Sequence, residues 1–175
     1  MNNDVLNSLL LELTKLPKET EWVEFKENNT DPQMIGENIS ALSNTAALLG
    51  KKHAYLVWGV QNDTHEIVGT TFNPQSTRHK QQELESWLLQ KLSPKINFRF
   101  HVFQNMQQRG VVILEIQPAT HKPVRFDGTE FIRIQSNTKK LREFSEKERE
   151  LWRIFDQKPF EQQYAQTDVK PDDVL

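Results

Sequence analysis

Glutamates placed among aromatic residues near the start of the chain are the side chains best suited to chemistry. The segment concerned, residues 19–28, reads Glu-Thr-Glu-Trp-Val-Glu-Phe-Lys-Glu-Asn. Its aromatic and β-branched residues predict a strand, where carboxylates are unfavourable unless they are exposed, paired or used. Strand alternation places Glu24 and Lys26 on one face, close enough to hold each other charged. The simplest interpretation is a solvated edge strand with a surface ion pair, and a functional Glu24 is the alternative.

Other kinds of catalytic site find no support in the sequence. Cysteine is absent, which excludes a thiol nucleophile, thiolate metal sites and a disulfide scaffold. The sequence has no phosphate-binding loop, serine-hydrolase motif or zinc-protease motif, and its five histidines have no ligand-like spacing. If the protein is an enzyme, carboxylates must carry the chemistry around a hard divalent cation such as Mg²⁺ or Mn²⁺.

The composition is that of a folded domain of ordinary size. The 175 residues are 26% charged and 36% hydrophobic, which indicates a globular protein rather than a disordered one. The first residues contain no basic leader, and no apolar run approaches the length of a membrane span. We therefore expect a cytoplasmic protein without a membrane partner.

A basic segment lies within a chain whose net charge is only −2. Residues 122–142 contain the acidic Asp127 and Glu130 against a larger set of basic residues: Lys122, Arg125, Arg133, Lys139, Lys140 and Arg142. Such a concentration of cations attracts polyanions locally, although ordinary soluble surfaces show the same pattern. The segment is therefore a candidate phosphate-binding surface.

Hydrophobic periodicity and turn residues predict an α+β domain. Helices are predicted at Val5–Leu16, between Asp31 and Gly50, at Thr77–Leu92 and from Ser145 onward. Strands are predicted at 54–60, 96–102 and 111–116, together with a hairpin that turns at Asp127-Gly128. Because strands and helices do not alternate strictly, we expect a mixed, largely antiparallel sheet with β-hairpins and about three to four packing helices.

The predicted domain covers residues 1–158. Beyond Pro159 the pattern thins, and residues 170–175 (Lys-Pro-Asp-Asp-Val-Leu) look like a helix start that stops at once. We therefore interpret 159–175 as a linker or as the start of a further, downstream domain.

The landmarks along the chain resemble those of the Schlafen-type AlbA domain, a nucleic-acid-binding module of bacterial regulators that is related to the Schlafen core. The matching segments are Glu19-Thr-Glu-Trp-Val-Glu-Phe-Lys26, Ile39-Ser-Ala-Leu-Ser-Asn-Thr45, Gly59-Val60 with Ile67-Val68-Gly69, Leu92-Ser-Pro94, Pro123, Phe131-Ile-Arg-Ile-Gln-Ser-Asn-Thr138 and Ser145-Glu-Lys-Glu148. Each segment alone is a weak signal. Their occurrence in the family's order, over roughly residues 8–155, carries the resemblance.

The resemblance implies residues for a nuclease site. Nuclease-active Schlafens use two glutamates five residues apart and an aspartate that follows the Gly-Val pair. Carried over to this chain, the pattern makes Glu19 and Glu24 metal ligands and adds Asp63 as the nearest acid. Lys26 would then steady the phosphate or its charge.

The chain departs from that nuclease pattern in two ways. Gln61 and Asn62 occupy the positions where the family has its acid. In addition, an offset of five places Glu19 and Glu24 on opposite faces of a regular strand, so a shared site requires a bend near Thr20. We therefore expect cleavage to be weak or absent.

The leading expectation is a DNA- or RNA-binding module of a prokaryotic transcriptional regulator or defence-type protein. Its predicted phosphate contacts are Lys51, Lys52, Arg125, Arg133, Lys139, Lys140 and Arg142. Contacts of this kind are salt-sensitive and discriminate weakly between sequences. Phe126 and Phe131 stack on bases in one interpretation and belong to the core in the other.

Two other functions stay open at this point. One is a divalent-metal-dependent endoribonuclease, acting on tRNA- or rRNA-type substrates, that uses Glu19 and Glu24. The other is an oligomerisation scaffold. The Schlafen core contains two AlbA-like lobes, so the resemblance also implies a homodimer, and longer relatives imply downstream domains as partners.

Overall fold

Helices and strands follow one another irregularly in the computed structural model, which describes the backbone of residues 1–168 and the side chains of residues 1–157. Its helices are α1 (Asn3–Thr14), α2 (Pro32–Leu49), α3 (Leu84–Lys91) and α4 (Ser145–Asp168), with a 3₁₀ turn at Leu141–Glu143. No helix in this part of the chain is both long and apolar enough to cross a bilayer. The helix start predicted at 170–175 lies outside the described residues. Helix α4 continues past residue 158, and the division of the chain there stays a prediction.

The strands form two four-stranded sheets and a small hairpin within the described residues. They are β1 (Val23–Lys26), β2 (Ala54–Trp58), β3 (Arg78–His79), β4 (Gln82–Glu83), β5 (Leu92–Ser93), β6 (Phe98–Gln104), β7 (Gly110–Ile116), β8 (Arg125–Phe126), β9 (Thr129–Ile134) and β10 (Asn137–Lys140). The first sheet has the order β1-β2-β7-β6, in which only β1 and β2 are parallel. The second has the order β10-β9-β8-β5 and is antiparallel throughout. This mixed, largely antiparallel arrangement confirms the predicted α+β class.

Helix α2 is the element on which both sheets pack. Its ends are those that the sequence predicts: the Asp31 carboxylate accepts from the backbone N–H of Met34, and Gly50 adopts a left-handed φ of 70°. Ile35, Ile39 and nearly all of its following residues up to Ala47 are buried. Apolar side chains from both sheets join one core cluster with it, including Leu56, Leu114, Phe126 and Ile132.

The opposite face of the first sheet is covered by α1. Leu6, Leu10 and Leu13 form a second apolar cluster with Val23 and Phe25 of β1 and with Val57 and Ile113 of the neighbouring strands. Because successive side chains of a strand point to opposite faces, Glu24 and Lys26 face the α2 side. The predicted partition of β1 into two faces is therefore confirmed.

The second sheet contains a tight hairpin of β8 and β9 that fits closely onto α2. Asp127 and Gly128 both have positive φ, 50° and 84°, as the predicted Asp-Gly turn requires. Gly36 of α2 leaves room for the Phe126 ring, since a Cβ at that position would lie 2.1 Å from it. Phe126 is 1% exposed and Phe131 is 8% exposed, so both belong to the core and neither is placed to stack on bases.

The largest differences from the predicted elements lie at the starts of β1 and α3. The predicted strand over 19–28 is reduced to β1, because the preceding residues form turns in which Thr20 N–H donates to Pro17 O at 3.1 Å. The helix predicted from Thr77 begins only at Leu84, because a hairpin of β3 and β4 precedes it. That hairpin turns at Lys80 and Gln81, whose φ values of 50° and 65° are uncommon for residues other than glycine.

Candidate functional site

Glu24 lies in a buried cluster of charges, and the solvated edge strand of the simplest interpretation is wrong. It is 5% exposed, although β1 stands at the edge of its sheet. The Arg133 guanidinium of β9 donates to its Oε2 from Nη2. The Lys26 ammonium lies 3.4 Å from its Oε1. Both carboxylate oxygens are therefore held by cations of the same chain.

Arg133 extends this cluster into α2 and β10. Its Nη1 donates to Thr138 Oγ1 at 3.0 Å, and that hydroxyl donates to Asn38 Oδ1 at 3.2 Å. Its backbone N–H donates to Thr45 Oγ1 at 3.0 Å. Arg133 is 3% exposed, so the expectation that it meets phosphates with the other surface cations is wrong. Its charge instead compensates that of Glu24, the arrangement that makes a buried carboxylate tolerable.

Glu21 is a site residue that the sequence did not indicate. Its Oε2 accepts from the backbone N–H of Gln135 at 2.7 Å. Gln135 lies in the turn between β9 and β10 with a left-handed φ of 55°. The Glu21 carboxylate thus ties the turn before β1 to the turn before β10. No local signal could have found this contact, because its partner is far along the chain and is a backbone group.

Of the residues implied for a nuclease site, the structure brings Glu24 and Lys26 together but forms no cluster of acids around them. Glu19 is exposed in the turn before β1, and Asp63 is exposed in the turn after β2. The side-chain oxygen of Gln61 accepts a hydrogen bond from the Thr64 hydroxyl at 2.7 Å. The Gln61 side chain is therefore engaged within that same turn. Among the residues with described side chains, no group of three or more histidines and acids could hold a metal ion. A divalent-metal centre does not fit these donors, because the oxygens of Glu24 already bind cations.

The exposed cations of the basic segment lie on and beside the second sheet. Lys139 and Lys140 end its edge strand β10, Arg142 follows in the 3₁₀ turn, and Arg125 lies on β8. Arg125 pairs in register with Glu130. Burial raises the pKa of Glu130 above its ordinary value. The Arg125 charge counteracts this increase, and the Glu148 charge adds to it. Lys139, Lys140 and Arg142 form no ion pair with the side chains that the structure describes.

A second group of cations lies at the other predicted contact. Lys51 and Lys52 are exposed in the loop after Gly50, as the sequence predicts. The Lys51 ammonium lies 4.9 Å from the centroid of the Trp22 ring, a cation–π contact. Sequence reasoning placed Trp22 in the strand and did not connect it with these lysines.

The segment that contains both groups matches a known family of domains. The model of the family described as "Schlafen, AlbA_2" matches residues 19–142. The chain belongs to this family. The matched residues include the Glu24 cluster and the exposed cations, so the AlbA_2 domain comprises the whole candidate site and leaves α1 and α4 outside the match.

Similarity to other proteins is more distant. A solved structure of the DIP2311 protein from Corynebacterium diphtheriae superposes with a TM-score of 0.48 and 12% sequence identity. The superposition covers 78% of this chain and 26% of that protein, so the chain corresponds to about a quarter of its length. No curated protein matches the chain.

Proposed function

We propose that this AlbA_2 domain binds DNA or RNA through the phosphate backbone, with Lys139, Lys140 and Arg142 as the main contacts and Arg125 beside them. The observation that carries the proposal is that the first three cations form no ion pair with any described side chain. A cation without a carboxylate partner loses no ion pair when it binds a phosphate. Its binding also releases counterions from the polyanion, and this release is the main source of affinity for the phosphate backbone.

The position of these cations supports the same function. The edge strand β10 is held to the core by the partly buried Arg133–Thr138 hydrogen bond and by pairing with β9 along its whole length. Its lysines therefore project from a rigid backbone. Lysines on an edge strand also deter pairing with other chains, so an effect on binding must be measured separately from an effect on solubility.

Backbone contacts of this type position a domain without reading sequence. We therefore propose weakly selective binding, within a prokaryotic transcriptional regulator or defence-type protein whose other domains supply the specificity. Cleavage is not part of the proposal. The Glu24 oxygens are held by Lys26 and Arg133, and the described side chains include no group of three or more acids and histidines that could hold a metal ion.

Replacing Lys139 and Lys140 together with alanine is expected to weaken binding about tenfold near physiological salt and to reduce the salt slope of log K by about two. The loss should be similar for unrelated sequences, because each lysine contacts a phosphate. Fluorescence anisotropy of a labelled oligonucleotide, titrated over a salt series, measures both quantities.

A matched control removes two exposed cations from elsewhere, Lys80→Ala with Arg99→Ala, and leaves the net charge equal to that of the test variant. We expect this control to keep the salt slope nearly unchanged. Equal losses in the two variants would show that net charge alone matters and would contradict the placement of the contact surface on β10.

A further inference from the structure

An amphipathic groove lies between α1 and the first sheet, away from the Glu24 cluster. Its volume is about 360 Å³. Leucines of α1 and of the turn after it form one wall, the rings of Trp22 and Tyr55 form the floor, and Lys51, Lys52 and His53 stand at the rim. Glu12 is the one acidic residue of the described lining.

The aromatic floor is fixed and uncharged. The Trp22 and Tyr55 rings lie 6.2 Å apart between centroids at an angle of 57°. Burial, the Glu115 charge and the Glu12 charge, in that order, raise the pKa of Tyr55 to about 12. Its hydroxyl is therefore neutral at physiological pH. Trp22 is only partly buried, and the flexible Lys51 ammonium lies over its ring.

We propose that this groove receives one unpaired base of a single-stranded nucleic acid, an inference that rests on the proposed function. The Trp22 ring offers the base a stacking surface, which is sequence-tolerant because every base has a π-face. The apolar wall excludes water from the other side of the base. The volume of the groove falls within the range of pockets that hold small organic groups.

The charges at the rim match the phosphates on either side of such a base. Lys51 and Lys52 outnumber Glu12, and both are exposed on a loop that follows the end of α2. On binding, the base replaces the Lys51 ammonium on the Trp22 ring, and the ammonium moves to a phosphate.

A base bound in this groove therefore gives the domain a preference for single-stranded over double-stranded nucleic acid. In a duplex each base is stacked and paired, so it reaches the Trp22 ring only after extrusion from the helix, which is unfavourable. An apolar peptide also fits the leucine wall, but it leaves the two lysines without anionic partners.

The test compares two labelled oligomers of equal length and charge, an oligothymidylate and an abasic strand, by fluorescence anisotropy with the full chain. We expect the oligothymidylate to bind about tenfold more tightly. Trp22→Ala should remove this difference and leave the affinity for the abasic strand unchanged. Trp22→Tyr keeps an aromatic ring at this position and is the variant to use if Trp22→Ala does not fold. It should retain most of the difference in affinity between the two strands.

Trp152→Ala is the matched control, because Trp152 is a tryptophan of α4 with 41% exposure that lies outside the groove. This variant should keep the full preference for bases. Equal affinity of the unmodified protein for both strands, or a preference that survives in Trp22→Ala, would overturn the base pocket. Failure to bind either strand would instead overturn the proposed function on which it rests.

Discussion

Glu24→Gln is expected to lower the free energy of unfolding by about 3 kcal/mol or more, because it leaves the Arg133 guanidinium buried without its counter-charge. Arg133 is 3% exposed and Glu24 5%, so neither water nor a surface acid can replace the lost carboxylate. The Lys26 ammonium, 3.4 Å from Glu24, loses its partner as well. Urea denaturation followed by circular dichroism measures the change.

Glu27→Gln provides the control on the same segment, since Glu27 is exposed just beyond the end of β1. It should change stability by less than about 0.5 kcal/mol. Replacing Glu24 and Arg133 together by methionine should recover much of the loss, because an apolar pair of similar size avoids a buried unpaired charge. If Glu24→Gln were as mild as the control, the carboxylate would be a solvated surface group and the cluster described here would be wrong.

Asn44→Ala is the second substitution with a large expected effect. Its side chain accepts from Val124 N–H at 2.8 Å and donates to Val124 O at 3.0 Å and to Phe131 O at 2.8 Å. Ser40 still donates to Val124 O in the variant. The Val124 N–H and Phe131 O are left buried and unpaired, which should cost about 3 kcal/mol of stability.

Asn62→Ala is the comparison for this loss, because Asn62 is exposed in a turn. Thermal unfolding should separate the two variants clearly, and native-state hydrogen exchange should show faster exchange at Val124 in Asn44→Ala. A variant that unfolds at the wild-type temperature would mean that Asn44 does not hold the second sheet on α2. Because that sheet carries Lys139 and Lys140, its attachment is a condition for the proposed binding surface.

Features encoded by neighbouring residues could be predicted from the sequence. The bounds of α2 follow from Asp31 and Gly50, which act within one turn of the helix. The Asp127-Gly128 hairpin follows from residues that tolerate positive φ. The two faces of β1 follow from the alternation of side chains. All of these are local rules that need no knowledge of the fold.

The environment of the charged residues could not be predicted in this way. Glu24 and Arg133 are 109 positions apart, so the charge that neutralises each of them is invisible to local patterns. As a result, the simplest interpretation of the sequence was a solvated Glu24, with a functional Glu24 as the alternative, and Arg133 was predicted to meet phosphates, whereas both side chains are buried. The start of α3 was missed for another reason, because Lys80 and Gln81 adopt positive φ without the glycine or asparagine that signals such a turn.

We expect the domain to bind RNA without cleaving it, and one experiment measures both properties in the same sample. Labelled RNA is incubated with the full chain and Mg²⁺ or Mn²⁺, and the products are resolved on native and denaturing gels. We predict a retained complex of intact RNA whose amount falls with rising salt. Metal-dependent cleavage products that disappear in Glu19→Ala, a variant of an exposed residue that should fold normally, would contradict binding without cleavage and establish the nuclease instead.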